Sequence, residues 1–267
     1  MGYINSTGKL TIAFRFQGAH RFQDGMAEIE VWDSLKCGTV TYSNEDVPLA
    51  LLENPGPGCK LSNHYFGFIN VKGELVVPPR FSLAHDFSEG LAGVQFGKFD
   101  DDKWGFIDKS GNIAIKPQFA DVHQFSQRLA AVQGPWKTSN GRWGFIDRTG
   151  KYVVEASFTS AFDFSEGLAR VVDGGTGLFG FVSKQGTFII PPQFFYAADF
   201  SEGLAVVRPD LDSALFYINK KGKKALQLKL WTRWSFSDGL TVAGENGHQM
   251  YVNHQGQTVA PYEFNPE

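Results

Sequence analysis

A four-residue phrase ending in glycine recurs along this chain, and a second phrase ends seventeen residues after it in six copies. The first phrase reads Asn5-Ser6-Thr7-Gly8, Asn70-Val71-Lys72-Gly73, Asp108-Lys109-Ser110-Gly111 and Asp147-Arg148-Thr149-Gly150. It continues as Ser183-Lys184-Gln185-Gly186, Asn219-Lys220-Lys221-Gly222 and Asn253-His254-Gln255-Gly256. The second phrase ends at Gly25, Gly90, Arg128, Gly167, Gly203 and Gly239. An offset that never changes admits no insertion. The distance from one phrase to the next does change: 65, 38, 39, 36, 36 and 34 residues. A period in this range marks a repeat architecture, in which one unit cannot bury its apolar faces alone and stacks on its neighbours.

The chemistry of the phrases predicts the local structure. Asp, Asn or Ser first and Gly fourth is type I turn chemistry, with the glycine taking the positive φ of a following bulge, so these are hairpin tips. Short apolar runs flank them. Trp104-Gly105-Phe106-Ile107 precedes a tip, Phe188-Ile189-Ile190-Pro191 follows one, and Leu204-Ala205-Val206-Val207 follows the second phrase. Runs of β-branched and aromatic residues bounded by Gly and Pro read as strands. Three such strands per repeat make an antiparallel meander. Alternation puts Trp104 and Phe106 on one face and Gly105 and Ile107 on the other. Both faces are apolar and both need cover. The glycine beside the tryptophan removes a Cβ where a neighbour approaches closely.

Trp-Gly-Phe-Ile-Asp-x-x-Gly, then Pro-x-Phe, then Phe-Ser-Glu-Gly-Leu-Ala-x-Val, resembles the WG-repeat (KWG) family of bacterial proteins. The resemblance covers nearly the whole chain in about seven copies. It implies a β-rich interaction module with no shared catalytic residues to carry over. The last two copies depart: Leu215-Phe216-Tyr217-Ile218 and Gln249-Met250-Tyr251-Val252 lack the Trp-Gly pair. The expected fold is a single all-β array over 1–267, with about seven three-stranded meander repeats. The first copy lacks its leading strand and the last lacks its second phrase. That favours an open, curved, solenoid-like array over a closed propeller-like ring.

Composition excludes several classes. The chain has 267 residues with a net charge of −3, which argues against nucleic-acid binding driven by overall charge. No apolar run approaches the roughly 20 residues that span a bilayer, so no membrane insertion is expected. No secretory signal is visible in Met1-Gly2-Tyr3-Ile4-Asn5, so the expected location is cytoplasmic. Cys37 and Cys59 form neither a disulfide framework nor a zinc motif and are expected as free thiols. Phosphate-loop, nucleophile-elbow and zinc-protease motifs are absent.

Candidate binding residues lie where the repeats differ. The first interval carries an insertion at about 32–62, and insertions in repeat proteins map to loops that often bind. The other variable loops are 96–103, 133–141, 172–178 and 208–214. Trp104 and Trp143 hold a recurrent strand position and belong to the core. Trp32, Trp136, Trp231 and Trp234 do not recur, and tryptophan anchors interfaces and stacks on sugars. Lys221, Lys223 and Lys224 make one tip strongly basic and suited to an anionic surface. His20, His85 and His123 share one repeat position but would stand a sheet spacing apart, about 10 Å, too far to share an ion. No metal and no cofactor is therefore expected. Asp24, Glu89, Glu166, Glu202 and Asp238 recur in one turn and read as backbone-capping groups rather than a glycosidase pair. Asp100-Asp101-Asp102 reads as a solvated tip. The function expected is a non-enzymatic scaffold that binds a protein partner. The alternatives are a carbohydrate or cell-envelope module using the loop tryptophans and, more weakly, an enzyme with its site in the insertion.

Overall fold

The computed structural model describes residues 1–4, 7, 9–12, 18–32, 34–37, 40–43, 59–61, 64–96, 103–135, 139–228, 234–245 and 248–261. The chain divides into two compact units, Met1–Phe125 and Ser126–Glu267. The first unit contains β1 (Tyr3–Ile4), β2 (Leu10–Ile12), β3 (Gly18–Ala19), β4 (Met26–Trp32), β5 (Ser34–Cys37), β6 (Val40–Ser43) and β7 (Cys59–Leu61). It continues with β8 (His64–Asn70), β9 (Leu75–Phe81), β10 (Leu83–Ala84), β11 (Leu91–Phe96), β12 (Lys103–Asp108), β13 (Ile113–Phe119) and β14 (Asp121–Val122). The second contains β15 (Ala130–Gln133), β16 (Trp143–Ile146), β17 (Tyr152–Phe158), β18 (Ser160–Ala161), β19 (Ala169–Val172), β20 (Phe179–Val182) and β21 (Phe188–Phe194). It ends with β22 (Tyr196–Ala197), β23 (Leu204–Arg208), β24 (Phe216–Asn219), β25 (Lys224–Leu226), β26 (Leu240–Glu245), β27 (His248–Asn253) and β28 (Thr258–Pro261).

Strands pair antiparallel, in small open sheets that follow chain order. In the first unit β3-β4-β8-β9 and β10-β11-β12-β13 are such sheets; in the second, β18-β19-β20-β21 and β22-β23-β24-β25. The expected meander of three strands is present. Each of these sheets gains a fourth, two-residue strand. The chain leaves one sheet and enters the next through a single residue: Ser82, Ala120, Thr159 or Phe195. A two-residue strand is too short to show a period, which is why pattern alone misses it.

The tips are built as their chemistry predicts. Gly111 N–H donates to Asp108 O at 2.9 Å, and Gly111 has φ +81°. The tip glycine also rests on the sheet before it. A Cβ on Gly111 would stand 3.2 Å from Val77, and one on Gly186 would stand 2.8 Å from Val154. The second phrase is a tight two-residue turn. Ser88 and Leu91 exchange both backbone hydrogen bonds, and the two residues between them, Glu89 and Gly90, have φ +52° and +82°. Two positive φ values make a type I′ turn, whose twist matches the strands it joins. In the third copy both central residues are non-glycine: Gln127 at +53° and Arg128 at +75°.

The glycine of each Trp-Gly pair faces the backbone of its own sheet. A Cβ on Gly144 would lie 2.5 Å from Val154 O, and one on Gly105 2.6 Å from Ile115 O. There β13 and β17 bulge: Trp104 pairs with Phe119 and Phe106 with Ile115, while Trp143 pairs with Phe158 and Phe145 with Val154. In five copies the phenylalanine opening the second phrase is buried against the aromatic ring two residues past the pair's first position. Phe68–Phe87, Phe106–Phe125, Phe145–Phe164, Phe181–Phe200 and Tyr217–Phe236 have centroids 4.8–4.9 Å apart. Tilted and edge-on pairs of this kind add about 0.5–1.5 kcal/mol each beyond burial.

The insertion leaves the hairpin of β4 and β8 at its end, where Trp32 pairs with His64. It forms a sheet of its own, β6-β5-β7, in which the backbones of Cys37 and Cys59 are directly paired. Among the described residues no helix is long and apolar enough to cross a membrane.

Two substitutions separate these constraints. Gly144→Ala forces a Cβ into the bulge and is expected to cost about 1–3 kcal/mol. Arg128→Gly relieves a left-handed residue and is expected to gain about 1 kcal/mol, or roughly 2–4 °C in melting temperature. Thermal melts of the two variants should move in opposite directions from the parent.

Candidate binding surface

The recurrent polar residues are consumed inside the frame. In four copies the serine of the second phrase donates its hydroxyl to the carbonyl of the next phrase's phenylalanine. Ser88 Oγ–Phe125 O is 2.6 Å, Ser126–Phe164 2.7 Å, Ser165–Phe200 2.6 Å and Ser201–Phe236 2.6 Å. The third residue of the second phrase accepts from a backbone N–H of the next phrase. Gly90 N–H donates to Asp24, Gly167 N–H to Gln127 at 2.9 Å, Gly203 N–H to Glu166 at 2.9 Å, and Gly239 N–H to Glu202 at 3.0 Å. A cation from a tip two repeats on reaches the same carboxylates: Lys109–Asp24 at 2.8 Å and Lys220–Glu166 at 3.0 Å. His254 Nε2 stands 3.1 Å from Glu202. Burial pushes the Glu166 carboxyl upward, but the bonds from Lys220 and Gly203 bring it below its ordinary value. Tip carboxylates are engaged in the same way. Asp108 is held low first by the N–H of Asn112, and Asp147 first by the Thr149 hydroxyl. The capping role expected of the connector acids is thus seen at Asp24, Glu166 and Glu202.

What remains for binding is the varied, exposed set. Trp104 is buried and stacks on His85 with centroids 4.6 Å apart, while Trp143 is half-buried against the core. Trp234 is 53% exposed; its carbonyl accepts from Tyr217 and Thr241 hydroxyls, so the backbone beneath the ring is fixed. Trp32 ends β4, and its side chain lies outside the description. Trp136, Trp231, the acidic run 100–102 and most of 32–62 also lie outside the described residues. Of the basic tip, Lys221 and Lys223 are exposed. Lys224 bonds Gln227 and lies 4.9 Å from the Phe216 ring centroid. The sequence argument missed another set: apolar residues on the edge strands stand in solvent. They are Leu75 and Ile113 in the first unit, and Val153 and Ile189 in the second. Val153 and Ile189 alternate with buried Val154 and Ile190, which was the available signal, whereas Leu75 and Ile113 are set off from buried Val77 and Ile115 by a shift in strand register.

One position between successive repeats carries charge. The residues twelve and twenty past a tip are backbone partners: His20 N–H donates to Glu28 O, His85 to Gly93 O, Phe162 to Arg170 O and Ala198 to Val206 O. In the second unit Arg170 Nε donates to Asp199 Oδ1 of the following repeat at 2.7 Å. In the first unit the matching residues are Glu28 and Asp86. Glu28 is 3% exposed, with His20 Nδ1 at 3.5 Å. Burial, then the charges of Asp86 and Glu30, push its carboxyl up to about 8. Burial, Asp86 and Glu28 also raise the Tyr3 phenol.

A family model described as "WG containing repeat" matches residues 1–31, 66–98, 104–133, 143–176 and 179–208, more than half of the chain. It stops short of the two copies without the Trp-Gly pair. No curated protein matches the chain. Among solved structures it is similar to a chain of a nidogen/laminin complex, at 8% identity and TM-score 0.38, over 90% of this chain and 91% of that one. It is also similar to a protein of unknown function from Bacteroides caccae, at 12% identity and TM-score 0.32, over 74% and 89%.

Glu28 gives the surface a pH signature. Its folded value lies above the ordinary 4.5, so between pH 4.5 and about 8 the folded chain keeps a proton that the unfolded chain releases. The contribution is complete below 4.5 and is lost as pH rises through 8. In chelator-treated protein, stability should therefore fall from pH 5 to pH 8 by up to a few kcal/mol. Glu28→Gln should flatten that slope in urea melts.

Proposed function

The chain belongs to the WG containing repeat family, and from that premise we propose that it is a non-enzymatic scaffold that binds a protein partner. One observation carries this reading. The recurring polar side chains are spent on holding repeat to repeat, while the edge strands hold apolar side chains in solvent, Leu75 and Ile113 in the first unit and Val153 and Ile189 in the second. Extended repeat surfaces bind in this manner. Exposed apolar residues flanked by polar ones are the usual material of a transient interface. The exposed tip lysines, Lys221 and Lys223, add a basic flank suited to an acidic stretch of that partner.

A carbohydrate-binding reading has one observation in its favour: Trp234 is half exposed on a fixed backbone, as a sugar platform would be.

The readings part in one experiment. Intact chain and a variant with Asp at 75, 113, 153 and 189 are compared in affinity capture, after circular dichroism shows equal folding. The scaffold reading expects a defined protein held by the intact chain and released by the variant. Retention on polysaccharide, lost in Trp234→Ala, would replace it with the sugar reading. Turnover of a substrate by the purified chain would overturn the non-enzymatic assignment.

A further inference from the structure

The inter-repeat position filled by Arg170 in one unit faces two carboxylates in the other. The Arg170 guanidinium lies 3.6 Å from the Phe162 ring centroid, bonds Asp199 Oδ1 at 2.7 Å and donates to Ala197 O at 2.8 Å. The fold thus supplies, at this place, a seat for a cation: a ring or its equivalent on one side and a carboxylate from the next repeat on the other. In the first unit Phe162, Arg170 and Asp199 become His20, Glu28 and Asp86. The cation's residue is replaced by an anion, and the ring by an imidazole.

The surrounding side chains are arranged around that change. One donor atom from each of His20, Glu28 and Asp86 lies within 4.8 Å of the others. Glu28 is almost fully buried. Asp86 Oδ2 accepts from Gln23 Nε2 at 2.7 Å, while Oδ1 is buried and accepts no hydrogen bond. Gln23 stands where the other five connectors have serine, and Glu28 where they have Gly93, Ala131, Arg170, Val206 and Val242. Two departures from the repeat therefore meet at one point. Tyr3 donates its hydroxyl to His20 O at 2.8 Å and fixes the backbone that carries the imidazole.

We propose that His20, Glu28 and Asp86 bind a divalent first-row transition-metal ion between the first and second repeats. One imidazole and two carboxylates suit zinc, manganese or iron; an all-oxygen shell would suit calcium. A divalent charge takes the place of the guanidinium and removes the repulsion of two carboxylates in a partly buried site. Donors around one ion at ~2.1 Å stand roughly 3–3.5 Å apart, so the site closes by about an ångström. The His20 side chain, 58% exposed, is free to supply that movement and leaves an entry path. Gln23 and Tyr3 act as outer partners that orient ligands. Comparing the three repeat-equivalent histidines with one another could not find the site, because its donors come from three different repeat positions.

The test uses the full chain, dialysed against EDTA and titrated calorimetrically with ZnCl₂ and separately with MnCl₂, alongside thermal melts. The expected result is one ion bound per chain and a rise of several degrees in melting temperature. Glu28→Gln and Asp86→Asn should each weaken binding at least about tenfold. Glu28→Arg places a guanidinium as in the fourth repeat. It should melt at or above the metal-free parent and ignore both ions. Absence of heat and of any melting shift in the parent at about 100-fold molar excess of either ion would overturn the proposal. So would affinity unchanged in Glu28→Gln and Asp86→Asn.

Discussion

The spacing of the sheets depends on a serine hydroxyl bonded to the carbonyl of a phenylalanine one repeat further on. Ser88, Ser126, Ser165 and Ser201 all make this bond at 2.6–2.7 Å. Each donor sits in a turn whose two central residues are left-handed, and each acceptor residue buries its ring under an aromatic of the sheet before. A polar bond is worth only about 1 kcal/mol net, but leaving its buried groups unmade costs more. Repeated through the chain, it ties the turn geometry, the ring packing and the distance between sheets to one another. The bond is kept across separations of 35 to 38 residues, so the loops between strands can change length while the junction between sheets stays the same.

Much of this frame was legible in the residues. The tip glycines announced positive φ, and the Trp-Gly pair announced a close approach. The recurrent acid of the second phrase announced a capping carboxylate, while the buried ring of its Phe and the bonded hydroxyl of its Ser came from the fold. What could not be read was anything set by contact between different repeat positions. Glu28 looks like an ordinary polar residue in Met26-Ala27-Glu28-Ile29 until the fold brings Asp86 against it. Lys109 and Lys220 pair with carboxylates two repeats back, contacts that no local pattern marks. The short strands such as β10 and β18 carry two residues each, too few for any pattern.

The charged inter-repeat position also shows how an array of near-identical units acquires individuality. The frame accepts Gly93, Ala131, Val206 and Val242 there without altering the strands around them, and elsewhere a guanidinium or a carboxyl. Only the side chain changes, so chemistry can differ from repeat to repeat while the backbone stays constant. A binding surface made of such units can be tuned one site at a time.

The sheet-to-sheet bonds also bear on synthesis. The serine bonds join residues only 35–38 positions apart, and the tip glycines Gly111, Gly186, Gly222 and Gly256 rest on the sheet made just before them. A chain leaving the ribosome can therefore complete each core as soon as the following repeat emerges, without waiting for distant partners. The lysines that reach back two repeats, 54 residues from Lys220 to Glu166, arrive last and clasp sheets already in place.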